Sequence, residues 1–187
     1  MQELKLEKTL VIIKPDGVKR GLVGEIIGRF EKVGLEIVGA KVLKIDRDMA
    51  LKHYGYSDEW FEKVGKKVKK FYEEVGFDPG EEFNNLSFYD IGKLVQKWNV
   101  DYLTEGKVFL LVLKGFHAVE VVRKMVGDTY PYVSPAGTIR GDFSSESPLV
   151  ANLSGRSVRN IIHASGSKEE ADLEIELWFK KGEILED

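Results

Sequence analysis

The sequence predicts an α+β fold, an antiparallel sheet with helices laid against it and a helical insertion. Two observations point there. Short β-rich runs and amphipathic helical patterns follow one another as β-α-β-β-α-β, and one connection is far too long to be a bare loop in a compact domain.

The first run, Thr9-Leu10-Val11-Ile12-Ile13, stops at Lys14-Pro15-Asp16-Gly17, where proline cannot donate a ladder hydrogen bond and Asp-Gly favours a turn. Lys14 is thereby placed at the C-terminal end of a strand. From Leu22 onward, Ile26, Ile27, Phe30 and Val33 recur at helical spacing, and Gly34 ends the pattern as a helix C-cap would. Residues 35–45 read as a long strand, after which Asp46 or Asp48 can cap a short helix carrying His53 and Tyr54.

The long connection, 57–106, is expected to hold helices of its own. Val64, Val68, Phe71 and Val75 line one helical face, and Lys63, Lys66, Lys67, Lys69 and Lys70 populate the rest. That pattern suits a helix packed by its apolar stripe with a solvated lysine face; a docking site for an acidic partner is the alternative. Asp78-Pro79-Gly80 breaks the helix, and Ile91, Leu94, Val95, Trp98 and Tyr102 make a second apolar set. A strand over 108–113, a helix over 118–126 and a strand over 173–179 complete the order. The result is the ferredoxin-like split β-α-β pattern, with helices expected on one face of the sheet.

At 187 residues, 43% of them hydrophobic, the chain fits a single domain, 1–187, with a sizeable core. A net charge of −3 leaves no overall basic excess to draw it onto nucleic acid or an anionic membrane. Without cysteine there is neither a disulfide framework nor a thiolate metal site, and the histidines at 53, 117 and 163 lack metal-ligand spacing. The N-terminus has no continuous apolar centre of the signal-peptide kind, and the longest later apolar run, 108–113, is too short to span a bilayer, so a cytoplasmic setting is expected. Glutamine occurs only at 2 and 96 while charged residues make up 32%, a composition of thermophilic character.

The chemistry concentrates in Asn160-Ile161-Ile162-His163-Ala164-Ser165 and in Glu174, a lone acid within an alternating apolar run. A histidine can be a nucleophile at neutral pH and still a good leaving group, which suits the relay of a phosphoryl group. Lys14, Arg123 and Arg140 are candidates to position and neutralise phosphates. Taken singly, each has an ordinary reading: His163 as a core histidine, Glu174 as the solvent-facing member of a strand, Lys14 and Arg123 as surface charges. The glycines at 17, 21, 24 and 28 match neither the dinucleotide-binding nor the P-loop fingerprint.

Together these residues resemble one family, the nucleoside diphosphate kinases. The matching strings are TLVIIKPDGVKRGLVGEIIG over 9–28, GTIRGDF over 137–143, NIIHAS over 160–165 and EIELWF over 174–179, in order along most of the chain outside two insertions, about 57–100 and 144–155. The resemblance implies reversible transfer of the terminal phosphate from a nucleoside triphosphate such as ATP to a nucleoside diphosphate. A phosphohistidine would relay it by ping-pong kinetics, with Mg²⁺ carried on the nucleotide phosphates rather than by protein ligands. His163 matches the phosphorylated histidine, Glu174 the residue that orients its ring, and Asn160 the ribose contact. Lys14, Tyr54, Arg123, Thr129 and Arg140 match the remaining phosphate-site positions. It further implies little base readout and a homo-oligomer, tetramer or hexamer.

The chain departs from the family pattern in three places. Gly166 follows Ser165 where the family usually has aspartate, a change expected to tune activity. An ungapped match puts Val95 where the family carries the phenylalanine under the base, leaving Trp60, Phe61, Phe88, Tyr89 and Trp98 as candidates to replace it. The 144–155 insertion has to loop out without moving Arg140 or His163. A binding or regulatory module that has lost catalysis is the alternative of another class; retention of Lys14, Arg123, Arg140, Asn160, His163 and Glu174 argues for the enzyme. The RNP1 aromatics of sheet-type RNA binders are absent.

Overall fold

The computed structural model describes residues 6–185. The chain runs β1 (Glu7–Ile13), α1 (Pro15–Lys19), α2 (Val23–Lys32), β2 (Glu36–Lys44), α3 (Arg47–His53), α4 (Asp58–Val75), α5 (Glu81–Asn84), α6 (Phe88–Thr104), β3 (Lys107–Gly115), α7 (Ala118–Val126), a 3₁₀ turn (Pro131–Val133), α8 (Ile139–Phe143), α9 (Pro148–Leu153), β4 (Ile162–Ala164) and α10 (Lys168–Trp178).

Among the described residues the strands form one sheet in the order β2-β3-β1-β4, each neighbouring pair antiparallel. This is the expected ferredoxin-like α+β sheet. Its centre is β1, where Val11 faces Leu111 of β3 and Ile12 faces His163 of β4. Side chains alternate across a strand, so Leu10 and Ile12 enter one core and Val11 and Ile13 the other. The second core packs against α2 and α7 through Ile26, Phe30, Ala118, Val122 and Val126. The first packs against α3, α6 and α10 through Ala50, Val100, Leu103, Ile175 and Trp178. Helices therefore cover both faces, not one as expected. The uninterrupted apolar runs of β1 and β3 were the signal, because a strand buried on both sides has no polar face to alternate.

The last strand also lies elsewhere. Residues 173–179, expected as strand, belong to helix α10, and the fourth strand is Ile162–Ala164. The alternation Leu173, Ile175, Leu177 is misleading, since Leu173 is 69% exposed. The buried face is Ala171, Glu174, Ile175 and Trp178, which is helical spacing, and the Ser167 hydroxyl caps the helix by accepting from the Glu170 N–H at 3.2 Å.

The 57–106 connection is helical as expected. Serine caps open both long helices, Ser57 for α4 and Ser87 for α6. They cross at two glycines. A Cβ on Gly65 would lie 1.8 Å from the Phe88 carbonyl oxygen and one on Gly92 would lie 2.3 Å from that of Phe61, so the backbones touch there. The 144–155 segment forms α9, and Arg156 clamps its base through Nη1 and Nη2 to Glu146 at 3.0 and 2.5 Å. The chain thus leaves and re-enters the domain between Arg140 and His163 at a fixed point.

Candidate active site

His163 stands on β4 just past a strained turn. Ile161 has φ of 70°, in the left-handed region that a β-branched residue rarely adopts, and the Ile162 N–H closes a γ-turn onto the Asn160 carbonyl at 2.7 Å. The surroundings enforce this conformation. The Lys14 N–H donates to the Ile161 carbonyl at 2.7 Å, and Gly17, where a Cβ would sit 3.0 Å from the Ile161 side chain, lets α1 press against it.

Glu174 projects from α10 to meet the ring. Its Oε1 lies 2.7 Å from His163 Nε2, while Oε2 accepts the Ser165 hydroxyl at 2.6 Å. A carboxylate on Nε2 fixes the proton there and leaves Nδ1 unprotonated, with its lone pair free. Burial, followed by the charge of Lys14, lowers the His163 pKa to about 3, so the ring is neutral at physiological pH. Burial also raises the Glu174 carboxyl above its usual range, against the pull of His53 and the Ser165 hydroxyl.

Cations are built in around His163. Lys14 is buried at the N-terminus of α1, with Nζ donating to Asn160 Oδ1 at 2.9 Å and lying 4.9 Å above the Tyr102 ring. Desolvation, then Arg140, lowers its pKa to about 7. Arg140 spends most of its fork on the backbone: Nε on Asn160 at 3.2 Å, Nη1 on Gly127 and Asp128 at 3.1 and 2.9 Å, and Nη2 on Ile162 at 2.6 Å. It ties the turn before His163 to the loop after α7 and adds positive potential more than a free fork. Arg123, exposed on α7, lines the same cleft. Asn160 completes the tie, its Nδ2 donating to the Thr129 carbonyl at 3.0 Å.

Lys14, Tyr54, Arg123, Thr129, Arg140, Asn160 and His163 line a single cleft of about 730 Å³, and Glu174 sits behind His163. Sequence reasoning missed much of the opposite wall. Val64, Val68 and Phe71 of α4, read as a packing stripe, face this cleft, with Tyr56, Tyr130 and Pro148. Among the aromatic candidates, Trp60 and Trp98 line it with Val95, whereas Phe61 is core and Phe88 is exposed. Both inserted segments border it, the first through Val64, Val68 and Phe71 of α4 and the second through Pro148 and Asn152 of α9, and Lys67 Nζ lies 5.1 Å above the Tyr130 ring. No sequence pattern could signal this, because stripe and cleft wall share one periodicity.

His53 was also missed as a neighbour of His163, the two rings lying 4.6 Å apart. These two histidines and Glu174 are close enough to surround a metal ion, yet each is already engaged by a hydrogen bond. At Gly166 the Glu170 carboxylate folds back to accept the backbone N–H at 2.9 Å; a Cβ there would lie 2.5 Å from the end of that flexible side chain, which can move aside.

The family model of nucleoside diphosphate kinase matches residues 7–76 and 83–184. The chain belongs to the nucleoside diphosphate kinase family. The nucleoside diphosphate kinase of Pyrobaculum aerophilum is 47% identical over 183 residues, 98% of this chain and 100% of the relative. The crystal structure of an NDP kinase from that organism superposes with a TM-score of 0.93 at 46% identity, covering 97% of this chain and 100% of the other. A transition-state mimic of the kinase from Borrelia burgdorferi, with bound vanadate and ADP, gives a TM-score of 0.77 at 37% identity, covering 99% of this chain and 94% of the other. Membership fits a cleft that pairs a neutral, oriented histidine with three cations.

Proposed function

We propose that this nucleoside diphosphate kinase works in two half-reactions through His163. Nδ1 attacks the terminal phosphorus of a nucleoside triphosphate such as ATP, the N–P bond forming as the bond to the bridging oxygen breaks, and the nucleoside diphosphate leaves. A second diphosphate then takes the phosphoryl group by the reverse displacement. The observation that carries this is the His163 Nε2–Glu174 contact at 2.7 Å, which aims the other ring nitrogen at a cationic cleft. As Nδ1 bonds to phosphorus the ring gains positive charge, and the Glu174 carboxylate balances it. The vanadate and ADP held by the Borrelia burgdorferi relative support the same displacement here.

In this reading Lys14 and Arg123 hold the terminal phosphate, Arg140 adds charge and rigidity, and Tyr54, Thr129 and Asn160 contact phosphate or ribose. Mg²⁺ suits the cleft as an ion arriving on nucleotide phosphates, because the lining is cationic and its acidic residues, Asp128 and Glu170, are too few to make a cage. Once bound it neutralises charge on the diphosphate leaving group. The apolar α4 wall would take the base with little discrimination. The domain is taken as 1–187 with insertions at 57–100 and 144–155. A cytoplasmic homo-oligomer, tetramer or hexamer, needing neither nucleic acid nor membrane, follows from the family resemblance. None of the described helices is long and apolar enough to cross a membrane.

Incubation with ATP labelled on its terminal phosphate tests the mechanism. Acid-labile, base-stable label that passes to GDP and is absent from His163→Ala is the expected result, together with parallel double-reciprocal lines. An unlabelled but folded protein would move the reading to a nucleotide-binding regulatory module.

A further inference from the structure

His53 has no part in the mechanism above, yet it lies at its centre. It is the last residue of α3, its side chain is 1% exposed, and its ring stands edge-on to His163 with centroids 4.6 Å apart and planes at 85°. Its Nδ1 accepts the Trp178 Nε1–H at 3.3 Å and lies 3.5 Å from Glu174 Oε1. Trp178 and Glu174 are four apart on α10, so one nitrogen stands between two groups of the same helix face. Nε2 of His53 is buried and has no partner among the described residues.

We propose that His53 is a positioning residue for phosphoryl transfer, holding the Trp178 N–H away from Glu174 so that Oε1 remains dedicated to His163 Nε2. This rests on the phosphohistidine reading of the same site. The physical reason is competition for one acceptor. The Trp178 N–H and Glu174 Oε1 both lie within 3.5 Å of His53 Nδ1, so His53 takes up an indole donor that the carboxylate would otherwise be open to accept. Glu174 would then share its charge, and the His163 ring would lose both its fixed tautomer and its edge-on wall.

The unpartnered Nε2 strengthens the case. Accepting from Trp178 puts the His53 proton on Nε2, where it is buried without an acceptor. A buried unsatisfied donor disfavours folding, and a phenylalanine or leucine of similar bulk would avoid it. A residue kept only for packing would not be expected to carry that defect.

The test uses the full chain and three measurements on His53→Phe and His53→Asn: thermal midpoint, the single-turnover rate of His163 phosphorylation with saturating labelled ATP, and the ¹⁵N spectrum of the His163 ring. His53→Phe keeps the wall but removes the accepting nitrogen. The proposal expects a midpoint at or above the parent's, phosphorylation slower by about tenfold, the loss of one hydrogen bond's worth of orientation, ATP KM within about threefold, and a His163 ring that no longer holds its proton solely on Nε2. His53→Asn, whose Oδ1 can accept from Trp178 in place of Nδ1, should recover most of the rate even if it is less stable. Parent-like rate and tautomer in His53→Phe would overturn the proposal, as would a rate loss that follows a fallen midpoint and is not recovered by asparagine. If the parent itself takes no label, the phosphohistidine reading fails, and the tautomer change still decides whether His53 orients the pair.

Discussion

Replacing Glu174 with glutamine keeps the size of a side chain that serves two donors at once and removes its charge. In the parent, Oε1 accepts from His163 at 2.7 Å and Oε2 from Ser165 at 2.6 Å. The amide has one oxygen, so one of these donors is left facing an NH₂ group. A hydrogen bond to a charged partner contributes about 1.5–3 kcal/mol and a neutral one about 0.5–1.5, which puts the difference at about 1–2 kcal/mol. The imidazolium character that develops as Nδ1 attacks is the state that loses the charge, so the deficit falls on the barrier. At 1.36 kcal/mol per tenfold, phosphorylation should slow roughly 5- to 30-fold. Quench-flow with labelled ATP measures that rate, and titration with ADP, which cannot phosphorylate the histidine, measures binding separately. ADP affinity should stay within about twofold, because Glu174 sits behind the histidine and outside the cleft lining. A rate within twofold of the parent's, or ADP affinity falling in parallel with the rate, would refute an orienting role.

Gly65→Ala should lower the thermal midpoint, since its Cβ would meet the Phe88 carbonyl oxygen at 1.8 Å and force α4 from α6 at a cost of about 1–3 kcal/mol or more; an unchanged midpoint would mean the helices do not cross there. Lys67→Ala removes the cation lying 5.1 Å above Tyr130 and should weaken nucleotide binding about two- to fivefold, read as KM with the saturated phosphorylation rate unchanged. Burial lowers the pKa of His53 and of His163 to about 3, so between pH 3 and 6.5 the unfolded chain binds more protons than the folded one and stability rises with pH across that window. Urea midpoints should therefore fall from pH 6.5 to pH 5, and His163→Ala should flatten the slope. Lys14, lowered to about 7, should make kcat/KM for ATP decline above pH 7 as the free enzyme loses that proton, with the decline moved upward in Lys14→Arg.

The sequence was informative wherever chemistry is local. The strand ending at Lys14, the helix stopped by Gly34, the aspartate cap before Arg47 and the 118–126 helix all stand where turn chemistry and periodicity put them. It misassigned 173–179 because a short apolar alternation satisfies both periods, and what separates them, the Ser167 cap and the burial of Glu174, depends on what packs around the segment. For the same reason the α4 stripe could not be recognised as a wall of the cleft.

By itself, the sequence determined the family and the places of the first three strands, and it singled out the candidate site residues, because those follow from residue type and spacing along the chain. Only the tertiary structure decided how they act together. It placed His53 against His163, committed Arg140 to four backbone carbonyls, strained Ile161 beside His163 and brought the two inserted segments to one cleft. Each of those depends on contacts between residues far apart in sequence, where hydrogen-bond geometry and burial are set by the packed fold and leave no periodic mark on the chain.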